Sequence, residues 1–292
     1  MFGTNEIVGK KFFKDAPADS LFVTSMFFTL QGEGPHAGKV ALFIRLAKCN
    51  LDCSFCDTFF DDGDWLNTTQ IESKMYETIC NFWNDKGESA PTWAVNGFNN
   101  YPGVVLVMTG GEPLLQDNIS AFMQRQLEHF GAVQVESNGI LDTTVPAGVT
   151  LVCSPKCVEK NGVAVKYLAP SKTILERADC LKFVMTAEPG NPYNTIPDWA
   201  LEWRLSNPKK EIYVSPMNIY NTFPQKIKLL RSEKQGNITL DERSTVDEVI
   251  SFWEPGLLNL KANQENHEYT AKYCIQHGLR LNLQMHLYAS LA

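Results

Sequence analysis

The sequence predicts an open, partial parallel β/α barrel. Three observations carry that expectation. Short runs rich in Val and Ile recur along the chain. They are apolar almost throughout instead of on every second residue, as strands covered on both faces are. Helical patterns separate several of them, which implies crossover connections between parallel strands.

The runs 40–46, 104–109, 133–137, 149–153, 180–185, 211–214 and 280–285 read as the strands. Residues 68–84 read as a helix: Thr68 and Thr69 are N-cap candidates, and Ile71, Met75, Ile79, Phe82 and Trp83 form its apolar stripe. A similar stripe through Ile119, Phe122, Met123 and Leu127 predicts a helix over 117–130, and 265–277 reads as the last one. Stretches 85–103, 186–210 and 218–244 are rich in Gly, Asn, Pro or polar residues, the last with a basic face around Lys226, Lys228 and Arg231; they read as insertions. No repeat and no separating linker is visible. A single domain over 1–292 is expected, its core from about 21 onward, with insertions at about 61–101 and 186–276.

The chain has 292 residues, 44% of them hydrophobic, enough for a substantial core. Lys and Arg total 26 against 33 Asp and Glu, a net charge of −7. Proteins that live by phosphate contacts are normally basic, so no direct nucleic-acid partner is expected. The longest apolar runs, 40–44 and 104–108, are far too short to span a bilayer, and 1–19 lacks the apolar core of a secretory signal. A cytoplasmic protein without a membrane partner is predicted.

Of eight cysteines, Cys80, Cys153, Cys157, Cys180 and Cys274 are scattered through apolar segments and read as small buried hydrophobes. Cys153 and Cys157 bracket Ser154-Pro155-Lys156; two thiols alone make no cluster site. The other three, Cys49, Cys53 and Cys56, form C-x3-C-x2-C directly after the first parallel strand, where α/β folds place their chemistry. Thiolates suit zinc or iron–sulfur clusters. Three sulfurs hold three irons of a cubane and leave the fourth open; alternatively, they make a structural zinc site with His286 or Cys153 as fourth ligand. Downstream, Thr109-Gly110-Gly111-Glu112-Pro113 leaves another strand, its glycines allowing close approach to a ligand and Glu112 able to bond an ammonium group.

The cysteine spacing, with Phe55 before the third thiol, resembles the radical S-adenosylmethionine superfamily, and Gly110-Gly111-Glu112-Pro113 resembles its GGEP motif. Further segments resemble the 7-carboxy-7-deazaguanine synthase family: Phe28-Thr29-Leu30-Gln31-Gly32-Glu33-Gly34, Phe43-Ile44-Arg45-Leu46, Cys56-Asp57-Thr58, Ser154-Pro155-Lys156, the Val214–Asn218 turn with Ser215 in place of Gln, and Gln284-Met285-His286. The resemblance covers roughly 27–185 and the last dozen residues; 61–101 and 220–276 depart from it.

The resemblance implies a barrel of the radical S-adenosylmethionine type. Cys49, Cys53 and Cys56 would hold a 4Fe–4S cluster, and Thr58 a magnesium ion. Phe55, Cys56, Asp57, Gly111 and Glu112 would line S-adenosylmethionine, together with Ser154, Pro155, Lys156, Ser215, Pro216, Met217 and Asn218. Leu30, Gln31, Gly32, Arg45, Thr109, His286 and Ala292 would hold the substrate, 6-carboxytetrahydropterin. No side chain is assigned as catalytic, because the radical comes from the cofactor. It would abstract hydrogen from the pterin and be returned after ring contraction and loss of ammonia. A reductant such as flavodoxin and a homodimer are implied as well. On the residues alone, Arg45 also reads as an internal salt-bridge partner and His286 as a core residue. Two competing functions remain at this stage: an activase of glycyl-radical enzymes, and a zinc-stabilised binding or regulatory module.

Overall fold

The structure, a computed structural model, describes residues 5–220 and 259–285. One sheet of nine strands organises them, in the order β11-β10-β9-β6-β5-β4-β2-β1-β3. Seven strands run parallel: β2 (Val40–Leu46), β4 (Tyr101–Gly110), β5 (Phe130–Ser137), β6 (Thr150–Cys153), β9 (Cys180–Met185), β10 (Glu211–Pro216) and β11 (Arg280–Leu281). β1 (Ser20–Leu30) lies antiparallel between β2 and β3 (Asp64–Asn67). A separate hairpin pairs β7 (Cys157–Lys160) with β8 (Val163–Tyr167).

The strand faces separate cleanly. Leu42, Ile44, Leu106, Met108, Val133, Val135, Leu181, Phe183, Ile212 and Val214 belong to one core that packs under the helices. Their neighbours Ala41, Val105 and Val107 form a second cluster, with Phe43 against it, on the concave face. Both faces are therefore covered, which explains the continuous apolar runs.

α1 (Thr68–Asn84) matches its predicted span and starts in a capping box: the Asn67 side chain accepts from Gln70 N, and the Gln70 side chain accepts from Asn67 N. α2 (Ile119–Gln126) is shorter than predicted at both ends, since the chain must return to β5 by Phe130. α3 (Lys172–Arg177) and α4 (Asp198–Ser206) escape the sequence reading. α4 lies inside a stretch read as an insertion, yet it buries Ala200 and Trp203. α5 (Leu260–His277) begins earlier than predicted, capped by the Asn259 side chain, and stops at Gly278 in the left-handed conformation.

Two strand expectations need correction. β1 was not read as a strand, because its mixed face lacks a clean period. The predicted strand 280–285 is reduced to Arg280–Leu281, after which the chain leaves the ladder and Asn282 turns its side chain to Glu33 and Ser215. The basic face around Lys226, Lys228 and Arg231 lies outside the described residues. Among the described residues, no helix is long and apolar enough to cross a membrane.

Candidate active site

A cavity of about 250 Å³ opens where the parallel strands end, on the concave face of the sheet. Arg45 from β2, Thr109 and Gly110 from β4, Glu136 from β5, Lys182 from β9 and Ser215 from β10 all face it. Such a crevice beyond the carboxyl ends of strands is where open α/β sheets bind ligands.

The loop after β2 brings Cys49, Cys53 and Cys56 to this cavity, with Phe55, Asp57 and Thr58 between or just after them. Burial pushes all three thiols up, Cys53 to about 11 and Cys56 to about 12. For Cys49 the nearby Glu112 carboxylate and the other two thiols add to that effect. Only a cation among them would make them thiolates. Among the described residues, no three His, Cys, Asp or Glu side chains converge tightly enough for a single ion. Zinc bonds thiolates at about 2.3 Å and draws its ligands together around a point. A cubane spreads them over its corners. Three thiols on one loop are a donor set that fits an iron–sulfur cluster with one iron left open. All eight cysteines are free, and Cys153, Cys157, Cys180 and Cys274 are buried as expected. Cys80 is only half-buried, on α1.

The Gly110-Gly111 turn packs against the start of the cysteine loop. A Cβ at Gly111 would stand 1.9 Å from the Lys48 carbonyl oxygen, and at Gly110, where φ is +121°, it would meet the Leu46 backbone at 2.3 Å. Glu112 N donates to Lys48 O at 2.9 Å. The Glu112 carboxylate is buried and accepts from Leu114 N, Ser137 Oγ and Asn138 N at 3.0, 2.8 and 2.8 Å. Burial raises its pKa against these bonds. It thus ties the ends of β4 and β5 together while lining the cavity.

Lys156 donates to Ser154 O at 2.8 Å and to Ser154 Oγ at 2.6 Å, and burial lowers its pKa. Asp57 Oδ1 accepts from Thr58 Oγ1 at 3.2 Å, and Asp57 Oδ2 accepts from Gln284 Nε2 at 3.1 Å, a pair of hard oxygen donors beside the third cysteine. The Arg45 guanidinium lies 4.8 Å above the Phe27 ring, which in turn stacks on Phe43.

Of the residues expected to line S-adenosylmethionine, Phe55, Cys56, Asp57, Gly111, Glu112, Ser154, Lys156, Ser215, Pro216 and Asn218 reach the cavity. Pro155 and Met217 do not line it; Met217 packs with Cys157 and Tyr193 behind it. Of the expected substrate contacts, Leu30, Gln31, Gly32, Arg45 and Thr109 line the cavity. His286 and Ala292 lie outside the described residues.

Sequence reasoning missed the charged floor. Lys182 Nζ bonds Glu33 at 2.7 Å and Glu136 at 2.6 Å, and Gln31 Nε2 and Gln134 Nε2 also donate to Glu136. Ser215 Oγ and Asn282 Nδ2 donate to Glu33. The readable signal was a charged residue inside an apolar strand, Lys182 in 180–185 and Glu136 in 133–137; such a residue must find a partner or face a cavity.

No family model matches the chain. Among curated relatives, the 7-carboxy-7-deazaguanine synthase of Rickettsia prowazekii is 29% identical over 286 residues, 98% of this chain and 94% of that protein. The enzyme of the same name from Rhodospirillum rubrum is 30% identical over 203 residues, 68% of this chain and 71% of that protein. The chain belongs to the 7-carboxy-7-deazaguanine synthase family. The Caulobacter vibrioides synthase, 31% identical, matches over 94% of its own length and 66% of this chain. The crystal structure of QueE from Escherichia coli shares the fold, with a TM-score of 0.50, 18% identity and coverage of 96% of this chain and 99% of that one. As a 7-carboxy-7-deazaguanine synthase, the protein is a radical S-adenosylmethionine enzyme whose cofactors are a 4Fe–4S cluster and S-adenosylmethionine. The three thiols that line one cavity are the feature of this structure that fits them.

Proposed function

We propose that the protein converts 6-carboxytetrahydropterin to 7-carboxy-7-deazaguanine with loss of ammonia, and that the cavity at the strand ends is where it does so. One observation carries the assignment of the site. The cysteine loop, the Gly110-Gly111-Glu112 turn, Arg45 and Lys156, far apart in sequence, open onto a single cavity.

Cys49, Cys53 and Cys56 would hold the cluster, and Phe55, Asp57, Gly111, Glu112, Ser154, Lys156, Ser215, Pro216 and Asn218 would line S-adenosylmethionine. Together these groups supply a one-electron cleavage that yields a carbon radical for hydrogen abstraction. The chain positions the reactants and excludes water. Arg45, its guanidinium 4.8 Å from the Phe27 ring centroid, is suited to a bidentate bond with the substrate carboxylate. Thr58 Oγ1 and the Asp57 carboxylate offer the oxygens magnesium prefers. Glu33 and Glu136 present acceptors to the N–H-rich edge of a pterin, and Lys182 offsets one of their two charges. Leu30, Phe27, Phe43 and Phe60 add apolar surface to the lining, which helps to exclude water. The family resemblance supports a homodimer and a small acidic electron donor of the flavodoxin kind.

Anaerobic incubation of reconstituted protein with the pterin, S-adenosylmethionine, magnesium and dithionite, without a second protein, is expected to release the deazaguanine acid. Cys49→Ala, Cys53→Ala and Cys56→Ala are each expected to lose both cluster iron and turnover. Full turnover in any of the three removes the assignment of that cysteine. Product formation that requires a protein substrate sinks the proposed reaction.

A further inference from the structure

The N-terminal segment carried no function in the sequence reading, yet it touches the cysteine loop at both ends. Ile7 bridges Cys49, and Val8 N donates to Cys49 O at 2.9 Å. At the other end, Asn5 Nδ2 donates to Thr58 O at 3.1 Å, Asn5 Oδ1 accepts from Phe60 N at 3.0 Å, and Glu6 N donates to Asp61 Oδ1 at 2.9 Å.

Lys48, immediately before the first cysteine, completes the arrangement. Its φ is +72°, the left-handed region that glycine occupies freely and that costs other residues roughly 1–2 kcal/mol. Its side chain is only 8% exposed, and Nζ sits between Asp61 at 2.9 Å and Glu6 at 3.0 Å. Lys48 N donates to Phe60 O, closing the loop, and Lys48 O accepts from Glu112 N. Every polar group of this residue joins one of four pieces: the loop start, the loop end, the N-terminal segment or the Gly-Gly-Glu turn. A glycine would adopt this backbone without strain, so a buried lysine here is explained by what its side chain ties together.

Backbone bonds within the loop are few, Cys56 N to Cys53 O among them, and its other ties run outward: Ser54 N donates to Glu159 Oε2 at 2.8 Å and Asn138 Nδ2 to Asn50 Oδ1 at 2.7 Å. Three thiols on a loop whose two ends were free would have to be ordered at the moment of cluster binding, which weakens binding by the entropy lost.

We propose that residues 5–8, acting through Lys48 and Asp61, form a brace that sets the cysteine loop in its binding shape before any cluster is present, with Lys48 the positioning residue for Cys49. This inference takes the nature of the loop's ligand from the function proposed above. Its test uses the full-length chain without cluster, so that the two stand or fall separately.

Amide hydrogen exchange is followed by mass spectrometry in the wild type and in Lys48→Met, Lys48→Gly, Lys48→Arg and Asn5→Ala. In Lys48→Met, Lys48→Gly and Asn5→Ala, amides of 49–60 are expected to exchange at least tenfold faster, with β4 unchanged; Lys48→Arg should stay near the wild type. After reconstitution, the first three variants should also lose iron to a chelator several-fold faster than Lys48→Arg. If Lys48→Gly exchanges like the wild type, the side chain is dispensable and the proposal fails. Faster exchange spread equally over β4 shows a general stability role and overturns it too. Should Lys48→Met not fold, Asn5→Ala reads the same brace from its other end.

Discussion

Gly111 shows how little freedom single positions have around the cavity. Any Cβ there collides with the Lys48 carbonyl, which is backbone and cannot yield without moving Cys49. Gly111→Ala is expected to cost about 2–3 kcal/mol in urea unfolding and to lower the iron bound per chain after reconstitution. Lys182 is constrained by charge in place of shape. Burial alone would lower its pKa, but Glu136 and Glu33 outweigh that and raise it. A raised lysine pKa gives a contribution that is complete below the unfolded value of about 10.4 and is lost only as pH rises through the higher folded value. Across neutral pH this ion-pair layer is therefore fully formed. Lys182→Met leaves two adjacent carboxylates without their cation, and a loss of roughly 3–5 kcal/mol is expected in chemical unfolding at pH 7. Arg45 and Lys182 were comparable in the sequence, each a cation inside an apolar strand. Arg45 was legible because a motif framed it; Lys182 had no such frame, and only the fold brings it to Glu33.

At the level of elements, α1 and α2 are joined by a buried carboxylate. Glu72 on α1 accepts from Arg125 Nε at 2.7 Å, from Gln126 Nε2 at 3.1 Å and from Asn99 Nδ2 at 3.0 Å. Burial acts to raise its pKa, but these bonds prevail and hold it below the usual carboxylate value. A depressed carboxyl pKa contributes stability above its unfolded value of about 4.3, and that stability disappears as pH falls through the folded pKa. Glu72→Gln is expected to flatten the acid limb of the stability–pH curve and to remove roughly 1–3 kcal/mol at pH 7, read from urea midpoints at several pH values. α1 was read from the sequence at its full length because its cap and its stripe agree. α3 was not, because six residues carry too few turns to show a period, and α4 was not, because its apolar residues Trp199, Ala200, Leu201, Trp203 and Leu205 do not fall on one stripe. Their place is set by packing: Ile174, Ala200 and Trp203 join the main core.

For the whole molecule, the cavity is assembled from segments between Phe27 and Gln284, so a ligand bound there contacts parts of the chain far apart in sequence. S-adenosylmethionine at a hundred times its Kd is expected to stabilise the cluster-loaded protein by about 2.7 kcal/mol. That corresponds to a rise of roughly 5 °C or more in Tm for a chain of this size. The cluster-free protein should show little of this shift if the cluster contributes to holding the ligand, as proposed above. An equal shift in the cluster-free chain would place S-adenosylmethionine elsewhere.

The sequence by itself determined the parallel sheet, since strands covered on both faces must be apolar throughout. It also marked the cysteine loop as a thiolate metal site, since spacing and donor type are local properties, and the family resemblance narrowed that to a cluster. It could not determine which side chains meet across the sheet. Glu33, Glu136 and Lys182 come from three different strands or turns, and the segment 5–8, two polar residues followed by two apolar ones, is too short to show a period. Their partnership is a product of strand order and register, which only the tertiary structure decides.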